Sequence, residues 1–139
     1  SNILSAIYFA DEDTVRRHLD FYISSAVPAG DATRGIYFFG GLLEDPSPVY
    51  EWLEENLDAF KAKIPAFYHP MLPQVVGDTC SPAGLKLLRE FFDQRDEIYA
   101  ESLAKAVESA ESCIDRRERH ASDLQRFLQP YAREIAEDL

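Results

Sequence analysis

Apolar residues recur at helical spacing along almost the whole chain, and no segment alternates with period two for long. The clearest stretch runs from about residue 98 to 119. There Tyr99, Leu103, Ala106, Val107, Ala110, Cys113 and Ile114 fall on one stripe, while Glu101, Lys105, Glu108, Glu111 and Asp115 take much of the rest. This spacing predicts a long amphipathic helix packed on one side. Leu124, Phe127, Leu128, Tyr131 and Ile135 repeat the pattern and predict a shorter, separate final helix.

Two earlier helices are marked by their starts. Ser47-Pro48 and Ser81-Pro82 each set a capping hydroxyl before a proline suited to the first helical position. Val49, Trp52, Leu53, Leu57, Phe60 and Ile64 form a stripe after the first; Leu85, Leu88 and Phe92, widened by Leu87 and Phe91, do so after the second. Asp11 and Asp13 open another helix through Val15, Leu19, Phe21, Tyr22 and Ile23, and a further one covers residues 32–43. That last helix is apolar all round from Tyr37 to Leu43 and holds Gly40-Gly41. Paired glycines cost about 1 kcal/mol each inside a helix, so they are expected where a neighbouring backbone comes close.

Pro65, Pro70 and Pro73 make residues 64–79 a broken helix or a loop with one short turn, which divides the helices into two groups. The expected fold is all-α: one domain over residues 1–139, an irregular HEAT-like α-solenoid of about seven antiparallel helices. Ser1-Asn2 reads as an expression scar. Residues 3–10 read as part of an element whose partner lies elsewhere, so the chain is expected to be a fragment of a larger protein.

Charge narrows the function. Twenty-five acids against 14 Lys and Arg give a formal charge of −11, which repels phosphate backbones and anionic lipid heads. Nucleic acid is therefore not the expected partner. Membrane insertion is not expected either, because no apolar run approaches the roughly 20 residues of a spanning helix. A soluble protein follows, with its compartment left open between cytoplasm and export. Cys80 and Cys113 pair only in an oxidising compartment, which spacing cannot decide; two buried, unpaired thiols are expected.

Chemistry is sparse. His18, His69 and His120 have no second histidine at ligand spacing, and no His-Glu-x-x-His occurs. Gly77-Asp78-Thr79-Cys80-Ser81 reads as a helix C-terminal glycine followed by a cap rather than as a nucleophile with its base. Arg116-Arg117-Glu118-Arg119-His120 is the one basic cluster, placed by the periodicity near a helix C-terminal end, where cations suit the dipole. No catalytic, cofactor-binding or metal-binding residue is assigned to this chain.

Three stretches resemble a known family. Tyr50-Glu51-Trp52-Leu53-Glu54-Glu55-Asn56-Leu57 is similar to the aromatic-x-aromatic-three-residues-Asn segment in the C-terminal domain of zinc aminopeptidases. These include aminopeptidase N, puromycin-sensitive aminopeptidase and the endoplasmic-reticulum aminopeptidases. Gly77-Asp78-Thr79-Cys80-Ser81, leading into Phe91-Phe92, is similar to pieces seen especially in bacterial members. Leu103-Ala104-Lys105-Ala106-Val107-Glu108-Ser109-Ala110-Glu111-Ser112-Cys113-Ile114 resembles the family's closing helix. Ile98-Tyr99-Ala100-Glu101 stands where many members have Gly-Gly-Pro-Arg, and the Arg-x-Gln-Asp stretch of eukaryotic members is replaced near Asp31-Ala32-Thr33-Arg34. These departures point to an outlying branch.

The resemblance implies a non-catalytic C-terminal domain that caps the active-site chamber of a zinc metallopeptidase and helps to bind or gate peptides. Zinc would then sit in the catalytic domain of the parent, this domain's partner within the same polypeptide. Arg34, Tyr37, Arg116 and Arg117 are the candidate peptide or interdomain contacts. An arginine can grip a peptide carboxylate bidentately, and Tyr37 offers an apolar face with a hydroxyl. The alternative is a stand-alone helical-repeat scaffold for protein–protein interaction.

Overall fold

A computed structural model describes residues 12–138, apart from the side chains of residues 38–42. Residues 1–11, including the expected scar and apolar stretch, lie outside the described residues, as do the surroundings of Gly40-Gly41. The described residues form six α-helices and two 3-10 turns, with no strand. In chain order these are α1 (Glu12–Ile23), α2 (Ala29–Leu42), α3 (Ser47–Lys63), a 3-10 turn (Ala66–Met71), α4 (Leu72–Val76), α5 (Pro82–Phe92), a second 3-10 turn (Glu97–Tyr99) and α6 (Ala100–Asp138).

The stripes turn inward as their period demands, except at the end of the last helix, where Leu124, Phe127, Leu128, Tyr131 and Ile135 are exposed. Helix α1 packs on α2 and α3, α2 on α4, α3 on α5, and α6 on both α4 and α5. Leu19, Ile36, Trp52, Leu53, Phe60, Leu72 and Leu88 are fully buried, each worth about 2 kcal/mol of transfer free energy. A run of rings links three elements: Tyr50 meets Phe91 at 5.6 Å, Phe91 meets Phe92 at 4.9 Å, and Phe92 meets Tyr99 at 5.3 Å. Polar ties close the seams. The Trp52 indole N–H donates to Asp20 Oδ1 at 2.8 Å, and Lys63 Nζ donates to the Ser24 carbonyl at 2.8 Å. Arg95 lies over the Phe91 ring, 4.0 Å from its centroid, and pairs with Glu54.

A close approach of two helices occurs at Gly35. A Cβ there would stand 2.3 Å from Cε1 of Tyr22, so the ring of α1 rests directly on the backbone of α2. Gly77 has a similar role as the C-cap of α4. Its N–H donates to the Pro73 carbonyl at 2.9 Å, and a Cβ would meet that oxygen at 2.4 Å.

Ser81 caps α5 as expected, its Oγ accepting from the Gly84 N–H at 3.0 Å. Ser47 does not cap α3. It sits inside the helix, and the Asp45 carboxylate accepts both its N–H, at 3.0 Å, and its hydroxyl. Those two bonds hold the Asp45 carboxyl below its ordinary pKa, because they favour its charged form.

Two further expectations are corrected. The separate final helix does not exist: α6 is one helix of 39 residues, with Pro130 inside it. Residues 116–123 are polar but contain neither Gly nor Pro, so nothing there breaks the backbone ladder. Arg116 and Arg117 are therefore well inside a helix, and the argument from a helix C-terminal end does not apply to them. The unpaired thiols are also wrong. Cys80 and Cys113 form a disulfide, because packing α5 on α6 brings together residues that lie 33 apart in sequence.

Candidate functional site

Residues from α2, α4, the loop before α5, and α6 meet around a cleft of about 150 Å³. Tyr37 comes from α2 and Gln74 from α4. Asp78 and Thr79 come from the loop, and Lys105 and Ser109 from exposed positions of α6. The floor is made of small residues, Gly77, Ala106 and Ala110.

Three of the lining residues have partners of their own. Gln74 is fixed by Ser102, whose Oγ accepts from the Gln74 N–H at 3.3 Å and lies 3.3 Å from Gln74 Oε1. Thr79 Oγ1 accepts from the Ser81 N–H at 3.4 Å. The next residue, Cys80, bolts the loop to α6 through Cys113. Lys105 donates to Glu101 Oε1 at 2.8 Å, one turn earlier on the helix. That bond and the ammonium charge hold the Glu101 carboxyl below its ordinary pKa.

The cleft is mostly polar, with one carboxylate, one ammonium, one phenol, one amide and two hydroxyls. Its volume is about half the lower limit of ordinary small-molecule and cofactor pockets.

Of the sequence candidates, Tyr37 lines this cleft and is half exposed. Arg34 is exposed one turn earlier on α2, the spacing at which two side chains share a helix face. Arg116 and Arg117 do not line the cleft. They start seven residues beyond Ser109, about 10 Å further along the axis of α6, on its exposed part. Gln74, Asp78, Thr79, Lys105 and Ser109 are not singled out by sequence, because periodicity assigns Lys105 to the solvated face and Asp78-Thr79 to a capping loop.

Among the described residues no group of three or more His, Cys, Asp or Glu could hold a metal ion. Two histidines serve the backbone. His18 Nδ1 lies 2.8 Å from the Thr14 carbonyl, and His69 Nε2 lies 2.7 Å from the Lys61 carbonyl near the end of α3. No helix among the described residues is long and apolar enough to cross a membrane.

Beyond residue 114 every described residue of α6 is exposed. Leu124, Phe127, Leu128, Tyr131 and Ile135 are 47–66% exposed on one side of it. Pro130 interrupts the backbone ladder off that stripe. The extension carries five arginines against six acids, so only −1 of the chain's −11 belongs to it.

No family profile, curated protein or solved structure matches the chain.

Proposed function

We propose that this chain is the non-catalytic C-terminal helical domain of a zinc aminopeptidase, walling the active-site chamber and contacting peptide through the Tyr37 cleft. One observation supports this reading above others. The three segments that resemble the family form a single packed unit. Tyr50 of the first lies against Phe91 of the second, and Cys80 of the second is joined to Cys113 of the third.

In this reading the helices are successive turns of an irregular α-solenoid of about seven. Zinc sits in the catalytic domain of the same polypeptide, where it activates water, and none of the described residues binds it. Peptide enters the cleft with a side chain or its terminus between Asp78 and Lys105, and Arg34 stands one turn away to meet a carboxylate. The Cys80–Cys113 disulfide supports an oxidising compartment, since such bonds are kept reduced in most cytosols.

The test is the reading frame upstream of the Ile3 codon. His-Glu-x-x-His followed by a downstream Glu in the same frame supports the proposal, and the full-length protein must then release N-terminal residues from peptides in a zinc-dependent way. A frame that opens near Ile3, or one without the zinc ligands, removes it. The second reading, a stand-alone helical scaffold, is favoured by the exposed stripe of α6, which is a protein-binding feature.

A further inference from the structure

We infer that the extension of α6 is a self-association arm, and that two copies of this chain pair through it in antiparallel fashion. Leu124, Leu128, Tyr131 and Ile135 follow one another at spacings of four, three and four, the repeat of a coiled-coil seam. The same repeat runs back through Ala121 and Arg117 to Ile114, where the helix leaves the body.

One antiparallel register satisfies the whole seam. With Leu124 opposite the partner's Leu128, Ala121 faces the partner's Tyr131, so a small residue meets a large one. Arg117 then faces the partner's Ile135. Its aliphatic stem covers the isoleucine while its guanidinium reaches the partner's Glu134 and Asp138. Ile114 falls opposite the partner's Asp138.

Charge selects this partner and this direction. The start of the arm is basic, with Arg116, Arg117 and Arg119 against Asp115 and Glu118. Its end is acidic, with Glu134, Glu137 and Asp138 following Arg133. Antiparallel pairing sets basic start on acidic end, twice. It also keeps the two acidic bodies about 36 Å apart along the arm, several Debye lengths at physiological salt. Parallel pairing would put those bodies side by side and like charges together.

Five large side chains per copy, each burying roughly 100 Å² on pairing, give about 1,000 Å² in all, the lower bound of specific association. An interface of that size is expected to give a weak, reversible dimer.

Sedimentation of the 139-residue chain from about 1 to 200 µM spans the Kd range of an interface this small, and the chain is expected to pass from monomer to dimer across it. Leu128→Glu leaves it monomeric throughout, with the thermal melt of the body unchanged. Arg116→Glu with Arg117→Glu weakens the dimer at least about tenfold, the equivalent of 1.4 kcal/mol. Adding Glu134→Arg, Glu137→Arg and Asp138→Arg to that variant restores it. Gln125, beside the two-fold axis of this register, gives a covalent dimer on oxidation as Gln125→Cys. A chain that stays monomeric at the highest concentration, a dimer indifferent to Leu128→Glu, or a dimer that Gln125→Cys fails to crosslink each overturns the inference.

Discussion

Cys80 and Cys113, with Cα atoms 5.2 Å apart, tie the loop before α5 to the stripe of α6 at the last turn that packs on the body. The bridge closes a loop of 33 residues containing α5 and the second 3-10 turn. Removing it frees that loop in the unfolded chain, which in the chain-entropy account costs about 4 kcal/mol. Reduction, or Cys80→Ser with Cys113→Ser, should lower the melting temperature by roughly 10 °C. Calorimetry with and without a thiol reductant checks it. Alkylation followed by mass measurement should find no free thiol in the native protein; two alkylated cysteines would remove the bridge.

Gly35 and Tyr22 provide a second test. Gly35→Ala gains about 1 kcal/mol of helix propensity, yet its Cβ would stand 2.3 Å from the Tyr22 ring. Overpacking of that kind costs about 1–3 kcal/mol, so the net change should be destabilising. Placed on Tyr22→Ala, the same substitution should become neutral or stabilising, because the ring it strikes is gone. A urea double-mutant cycle measures the coupling. Additive effects would show that α1 does not rest on α2 there.

Much of the fold was legible from local physics. The α3 stripe at Val49, Trp52, Leu53, Phe60 and Ile64 is buried as its spacing predicts, since a 3.6-residue period admits one inward face. Ser81-Pro82 started α5 where it should. Readings failed where the deciding partner lay outside the window. Asp45 accepts from both the N–H and the hydroxyl of Ser47, which stands inside the helix and not at its cap, and Cys113 finds Cys80 only once α5 and α6 pack. The junction at residues 116–123 misled because polarity suggests a loop, whereas only Gly, Pro or a capping residue in place ends a helix. The cleft was hidden for the same reason as the disulfide. Tyr37, Gln74, Asp78 and Lys105 come from four elements, and no short pattern joins them.

Tyr50 sets an alkaline limit. Burial between α3 and α5 pushes its phenol far above the ordinary value of 10.0, because ionisation there would strand a charge in apolar surroundings. A group with a raised folded pKa gives stability that is full below its unfolded pKa and is lost as pH rises towards the folded one. The loss therefore begins near pH 10 and steepens to at most about 1.4 kcal/mol per pH unit. Urea unfolding from pH 7 to about 11.5 should show Tyr50→Phe losing less stability than the native chain over that alkaline window. Equal slopes would mean that the phenol reaches water.

Tyr37 carries the functional prediction. If the cleft receives peptide at a distance from the zinc, its loss must matter for substrates long enough to reach it and not for short ones. On the proposed reading, Tyr37→Ala and Asp78→Asn in the full-length protein should each raise KM for long peptides by about tenfold, the effect of losing one contact worth roughly 1.4 kcal/mol. Turnover of an aminoacyl anilide, which would occupy only the proposed catalytic domain, should not change. Arg34→Ala should raise KM only for peptides with a free C-terminal carboxylate and leave their amides untouched. Equal losses on short and long substrates would instead assign these residues to packing, because a misplaced wall affects every substrate, whereas a lost contact affects only those that touch it.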